Sequence, residues 1–454
     1  MKKLSTPSID LLSKLTTVQF IVLLYLAAIC FSTALLSLPI AHKPDVDLSF
    51  IDILFTAVSA ISVTGLTVVS TAETFSTTGI FFLAFILQFG GIGIMALGTF
   101  IWLMLGKKIG LRERRLIMID QNRLTFSGIV KLMKQILIII MSIEMIGTLV
   151  LGTYFLNYFP SWQEAYFHGF FAAVSATTNA GFDITGSSLI PFANDYFVQS
   201  VNMILIVLGA IGFPVLIEVK DFLTYKGETP YRFSLFTKLT ATTFFGLVII
   251  GTVLIYVMEL NRYLTDKTWH ESLFYSMFHS VSARSGGLAT MDINEFSTPT
   301  LLVLSALMFI GASPSSVGGG IRTTTFAIIV LSIIFYAKGR NSIKIFKREI
   351  HPDDIFKSFI VFGTAMFICF ISFIILASTE SEFTLMEIIF EICSAFGTAG
   401  LSMGITPELS TIGKIVIIIL MFTGRIGIFP FLFLIRGTVV QETYHYPKER
   451  VTIG

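Results

Sequence analysis

Charge is scarce in this sequence. Asp, Glu, Lys and Arg make up only 13% of its 454 residues, where a soluble domain carries about a quarter. Hydrophobic residues reach 54% and the mean hydropathy is +0.82. A soluble globular chain is excluded, and an integral membrane protein is expected. Cysteine is nearly absent as well. Cys30, Cys369 and Cys393 lie in apolar stretches without C-x-x-C spacing, which excludes a disulfide framework or a dithiol redox site and leaves buried small hydrophobes. The six histidines are scattered with no H-x-x-x-H pair, and no G-x-x-x-x-G-K-[ST] loop occurs, so no nucleotide-hydrolysis loop is present. No nucleophile–base pair is visible and no His/Asp/Glu cluster recurs at membrane depth. The chain is not expected to be an enzyme, to carry a cofactor of its own or to bind nucleic acid.

The charge that remains is unevenly spread. Of the 31 Lys and Arg, 24 fall in five segments: 1–17, 106–134, 218–238, 338–357 and 436–454. The positive-inside rule assigns these to the cytoplasm, with both termini. The apolar run 18–40 is longer than a signal-peptide core and lacks an A-x-A site, so it reads as a retained span. The expected location is the plasma membrane (a bacterial inner membrane), with many passes.

Four stretches align: "FTAVSAISVTGL" (55–66), "FAAVSATTNAGF" (171–182), "FHSVSARSGGL" (278–288) and "FEICSAFGTAGL" (390–401). Each holds a Ser-Ala step, then small or hydroxylated residues, then a glycine and a large apolar residue. The glycines are Gly65, Gly181, Gly287 and Gly400, and the third copy is one residue shorter. A second set follows: "GGIG" (90–93), "GAIG" (209–212), "GASP" (311–314) and "GRIG" (424–427). Two motifs in one order, four times over, indicate a fourfold repeat. Each unit has a long apolar span (18–40, 132–156, 238–258, 358–378), a segment of about a dozen residues, and a closing span (78–105, 196–219, 300–336, 411–435). The short segments cannot cross a bilayer, so they read as re-entrant pore helices. With two spans per unit, all five basic segments fall on one side.

The expected fold class is therefore all-α integral membrane. Four tandem M1–pore helix–M2 repeats surround one pore, giving eight transmembrane helices and four re-entrant pore helices. The expected repeats are 18–110, 111–225, 226–345 and 346–436, between cytoplasmic ends 1–17 and 437–454.

Non-helical backbone at membrane depth survives only where protein buries it or a watery cavity lines it. Four such segments about an axis can turn carbonyls inward and replace the water shell of a cation. Glycine suits them because such a turn often demands φ > 0. The competing reading, glycines that merely let helices cross, suits one copy better than four. The candidate ion-binding residues are Val63, Thr64 and Gly65; Asn179, Ala180 and Gly181; Ser285, Gly286 and Gly287; Thr398, Ala399 and Gly400. Asp52, Glu164, Glu271 and Glu387 lie near the outer ends of the short helices, where a carboxylate complements the helix dipole; solvated interface residues are the alternative. No ring of acids occupies the glycine segments, so selectivity for a monovalent cation should rest on carbonyls.

Across essentially its whole length the chain resembles the Trk/Ktr/HKT superfamily of potassium transporters, most closely the bacterial Ktr membrane subunit. The resemblance rests on "SVTGLTVV", "TNAGF", "SAFGTAGLSMGITPEL", "GKKIGLRERR", "MFTGRIG" and "YPKERVTIG". It implies one filter glycine per repeat, potassium as the transported ion, sodium as a candidate activator, a homodimer with a pore in each subunit, and a cytosolic nucleotide-binding ring as regulatory partner. Members with serine at the first filter glycine favour sodium. The third filter, "RSGGL", departs from the usual Thr and Ala around one Gly. The basic segments 106–115 and 338–349 could anchor the chain to membrane lipid or dock the ring.

Residues 300–336 would make a helix of roughly 55 Å, against a bilayer core of about 30 Å. Pro314 and the run Gly318-Gly319-Gly320 cannot sustain a helix. This span should be two half-helices joined by a loop, and the resemblance implies a gate: Ser313, Pro314, Ser315, Ser316, Val317, Gly318, Gly319 and Gly320. Arg425, alone within a span, is expensive there. It either donates to loop carbonyls or pairs with an acid such as Glu144. Arg284, beside the third filter, would order backbone or pair with an acid. The alternative function is a sodium-coupled or sodium-permeable secondary cation transporter.

Overall fold

The computed structural model describes residues 17–44, 46–93, 129–435, 446–447, 449 and 451–452. The first quarter of the chain forms α1 (Thr17–Leu36), α2 (Phe50–Ser62) and α3 (Thr77–Ile92). The second forms α4 (Ile129–Phe155), α5 (Trp162–Thr177), α6 (Tyr196–Ala210) and α7 (Phe213–Thr224). The third forms α8 (Leu235–Glu259), α9 (Trp269–Ser282), α10 (Thr298–Ile310) and α11 (Thr323–Ala337). The fourth forms α12 (Pro352–Thr379), α13 (Leu385–Gly397), α14 (Thr411–Ile426) and α15 (Ile428–Ile435). One two-residue hairpin pairs Lys344–Ile345 with Arg348–Glu349.

Helices α1, α4, α8 and α12 run for 20, 27, 25 and 28 residues. At ~1.5 Å per residue they reach about 30–42 Å, enough to cross a bilayer. Among the described residues these four are long and apolar enough to do so singly. Phe31, Ile146, Ile249 and Phe367 stand exposed on them, as side chains facing lipid would.

A shorter helix follows each: α2, α5, α9 and α13, of 13, 16, 14 and 13 residues. Their starts are written in the sequence. Each is preceded by Ser or Thr (Ser49, Ser161, Thr268, Thr384), and the acid lies three residues on. Thr268 and Thr384 form full capping boxes, in which Glu271 and Glu387 accept from the cap's own N–H at 2.8 and 2.7 Å. Asp52 instead accepts the Ser49 hydroxyl at 2.6 Å and a 2.8 Å ion pair from Lys414. Glu271 and Glu387 thus close an orphan N–H group as well as complementing the dipole.

The closing spans differ from expectation. Only the third was expected to be broken, yet 196–219 and 411–435 are divided too. Helices α6 and α7 meet at 103°, with Gly212 between them at φ 101°. Gly427 separates α14 from α15 at φ 92°. In the first repeat α3 stops at Ile92, Gly93 has φ 93°, and the rest of 78–105 lies outside the described residues. A right-handed helix cannot pass through such a φ. Helices α3, α6, α10 and α14, of 16, 15, 13 and 16 residues, therefore reach only about 20–24 Å before the chain turns. The cysteines also differ: Cys30 is exposed, and Cys369 and Cys393 are half-buried rather than sealed in the core. Cys369 and Cys393 still pack against the main hydrophobic core.

Candidate functional site

The buried ends of α2, α5, α9 and α13 converge, and each leaves its helix in the same way. Two residues before each glycine the backbone enters the left-handed region, at Val63 (φ 56°), Asn179 (φ 53°), Ser285 (φ 88°) and Thr398 (φ 46°). The glycines follow at φ 89°, 68°, 69° and 89°. Asparagine tolerates the first position, but for β-branched valine and threonine it is costly. Such strain persists only where surrounding structure over-determines it, and it clusters at functional sites.

The Ser-Ala step of the motif explains the over-determination. Ser59 and Ser394 accept the N–H of Gly65 and Gly400 on their side-chain oxygens, at 3.2 and 3.0 Å. Ser175 and Ser282 donate to the carbonyls of Phe182 and Leu288, just past their glycines, at 2.6 and 2.5 Å. The same serine carbonyls accept the N–H of Thr64, Ala180, Gly286 and Ala399. Each serine thus staples both sides of its turn.

The four glycines close a ring. A Cβ on Gly65 would lie 3.0 Å from the Gly181 Cα, one on Gly181 2.9 Å from Gly287, one on Gly287 3.3 Å from Gly400, and one on Gly400 3.2 Å from Gly65. Each glycine touches the next and the fourth returns to the first. No side chain fits at any corner without displacing backbone.

The short third copy keeps its place in the ring. In the other three copies the residue before the glycine bonds a serine carbonyl five residues back; Gly286 bonds Ser282 four back, at 2.6 Å. The missing residue is absorbed there. That tight turn accounts for the second glycine, because a Cβ on Gly286 would stand 2.9 Å from the Ser282 Cα.

Residues 311–322 join α10 to α11 directly beneath this ring. A Cβ on Gly318 would meet Ser285, and one on Gly319 would stand 2.6 Å from the Thr398 hydroxyl. The loop is tied to the second repeat by Ser313 N–H to Ala210 carbonyl (3.0 Å), Val317 N–H to Gly209 carbonyl (3.3 Å) and Phe213 N–H to Ser315 carbonyl (2.8 Å). It closes on itself through Ser316, whose hydroxyl donates to the Ser313 carbonyl at 2.6 Å.

Arg425 binds it from the fourth repeat. Its guanidinium donates to the carbonyls of Val317 and Gly90, and to that of Gly91 at 3.4 Å. One side chain thus spans from the loop to the first repeat. Glu144 is not its partner, since that carboxylate accepts from Gln88 Nε2 at 2.7 Å. Arg322, not among the residues expected at the loop, sits at φ 79° and donates back to the carbonyls of Gly318 and, at 3.3 Å, Ser313. Its signal was available: a second arginine within an apolar run, directly after the glycines. Among the described residues, Arg284 neither bonds backbone of the glycine segments nor meets an acid. It is fully buried, lies over the Phe244 ring with 5.5 Å to the centroid, and its three guanidinium nitrogens bond none of the described residues.

Residues 5–444 match the TrkH family, described as cation transport protein. The chain belongs to the Trk/Ktr family. Its members transport ions and are not enzymes. The chain is 60% identical over 444 residues to the Ktr system potassium uptake protein D of Bacillus subtilis, covering 98% of each. It is 33% identical to the potassium/sodium uptake protein NtpJ of Enterococcus hirae, over 97% of this chain and 98% of that one. Among solved structures, the potassium transporter TrkH of Vibrio parahaemolyticus superposes with a TM-score of 0.72 at 17% identity, covering 93% of this chain and 86% of that one. At that identity the likeness speaks for the Trk/Ktr fold, a helical membrane protein.

Proposed function

We propose that this chain carries potassium into a bacterial cell as the ion-conducting membrane subunit of a Ktr-type system. The observation that carries the reading is the closed ring of Gly65, Gly181, Gly287 and Gly400, each held at positive φ. Carbonyls from 63–65, 179–181, 285–287 and 398–400 line a single-file path and stand in for potassium's water shell. The negative ends of four helix dipoles point toward it, which favours a cation. The relative named as a potassium uptake protein, at 60% identity, supports the choice of ion. Residues 313–320 form a gate, since they lie against Ser285 and Thr398 and are held by Arg425.

The whole assembly is read as a homodimer of four-repeat pores, each with eight spans, in the plasma membrane with cytoplasmic termini. A cytosolic nucleotide-binding ring docks on it. The segment 106–115, given to that ring or to lipid, lies outside the described residues. The 33% identical potassium/sodium uptake protein supports a second reading, a sodium-coupled or sodium-permeable secondary cation transporter. One experiment separates them: rescue of a potassium-uptake-deficient bacterium at graded external potassium, with and without sodium. Rescue at low potassium without sodium supports the first reading, rescue only with sodium supports the second, and no rescue with normal protein levels overturns both.

A further inference from the structure

On the far side of the loop from the glycine ring lies a cavity of about 80 Å³ whose lining includes Tyr25, Ser315, Ser316, Arg322 and Arg425. Two guanidinium groups share it. No carboxylate among the described residues lines it, and the four ion pairs among those residues use Lys344, His351, Lys357 and Lys414 instead. The carbonyls of Val317, Gly318, Ser313 and Gly90 accept from these arginines, but a carbonyl carries no net charge. Among the described residues, two like charges therefore face one small space, where their repulsion is several-fold stronger than in water and an uncompensated charge is costly.

We propose that this cavity binds a small inorganic anion between Arg322 and Arg425. One negative charge converts a repelling pair into an attractive triad. The volume is several times the roughly 10–15 Å³ a cavity needs to hold one water, so it admits a halide or a tetrahedral oxyanion. Arg322 and Arg425 hold the adjacent carbonyls of Gly318 and Val317, so an anion joining them also braces the loop in the conformation described here. This consequence rests on the gate reading above, whereas the binding site does not.

Two measurements on the full chain test it. Crystals grown in bromide, and others in selenate, should show anomalous density in this cavity, and the two salts distinguish a halide from an oxyanion site. Density should vanish in Arg322→Gln and in Arg425→Gln. If neither variant folds, Arg322→Lys, which keeps a charge and donors, should retain weakened density. In proteoliposomes of wild type, replacing chloride on the loop side by gluconate should raise potassium flux at least about fivefold, the low end of usual coupling between sites. Arg322→Gln should be insensitive to the exchange. No density from either salt in wild type overturns the site, as does density that persists in both glutamine variants. Density with anion-independent flux upholds the site and overturns the gate reading instead.

Discussion

Ser285 donates its hydroxyl to the carbonyl oxygen of Thr398 at 2.6 Å, linking the third and fourth glycine segments across 113 residues of chain. The bond engages one of the carbonyls proposed to face the ion and fixes its direction. Ser285→Ala frees that carbonyl at a cost of about 0.5–1.5 kcal/mol, the net value of one hydrogen bond. The ratio of potassium to sodium flux in proteoliposomes should fall roughly two- to tenfold. An unchanged ratio would mean that the Thr398 carbonyl does not discriminate ions.

Gly65→Ser should raise sodium flux relative to potassium. The new Cβ would stand 2.5 Å from the Ala180 carbonyl oxygen, so that quarter of the ring must widen or rotate. The backbone at φ 89° adds strain for any side chain. Paired flux measurements decide it: a wild-type ratio at normal protein levels would remove Gly65 from the filter.

Gly286→Ala should destabilise the protein by about 1–3 kcal/mol, the usual range for overpacking. Its Cβ meets backbone at Ser282 and the Ile206 side chain at 3.0 Å. Gly363 in α12 has nothing within 4 Å of its added Cβ, and Gly363→Ala should stabilise by about 0.5–1 kcal/mol. Thermal melts of the two variants in detergent should move in opposite directions. A neutral Gly286→Ala would contradict the tight turn described for the third copy.

Deleting 313–320 should raise uptake and abolish its dependence on a cytosolic partner. Arg425→Ala should act the same way more weakly. Hydrogen bonds to a charged group are worth about 1.5–3 kcal/mol, or roughly ten- to a hundredfold in the open-to-closed ratio. The double change should be no faster than the deletion, because both act on one element. Additive effects would put Arg425 to work elsewhere, and a folded but inactive deletion would mean that the loop conducts.

Much of this architecture was legible along the chain. The membrane class follows from scarce charge. The short helices α2, α5, α9 and α13 follow from apolar segments too short to cross, each opened by Ser or Thr with an acid three residues on. Those signals are local, or repeat in register, and need no distant neighbour to be read. The division of the closing spans was not legible. A lone glycine in an apolar helix costs only about 1 kcal/mol, so Gly93, Gly212 and Gly427 could equally have sat inside continuous helices.

Tertiary contacts made that choice. Gly90, Gly209 and Gly424 press against the carbonyls of Ile61, Thr177 and Phe396 at the ends of α2, α5 and α13, so α3, α6 and α14 are drawn in against those ends and turn away beyond them. The partner of Arg425 was open for the same reason. The sequence by itself determined that a cation buried in apolar surroundings needs acceptors, and it offered Glu144 or loop carbonyls. Only the fold decided between them, by turning Glu144 to Gln88 and bringing Val317 and Gly90 to one guanidinium. Residues so far apart along the chain meet only once the four segments close into a ring; the repeated motifs pointed to such a ring, but spacing carries no record of which side chains it brings together.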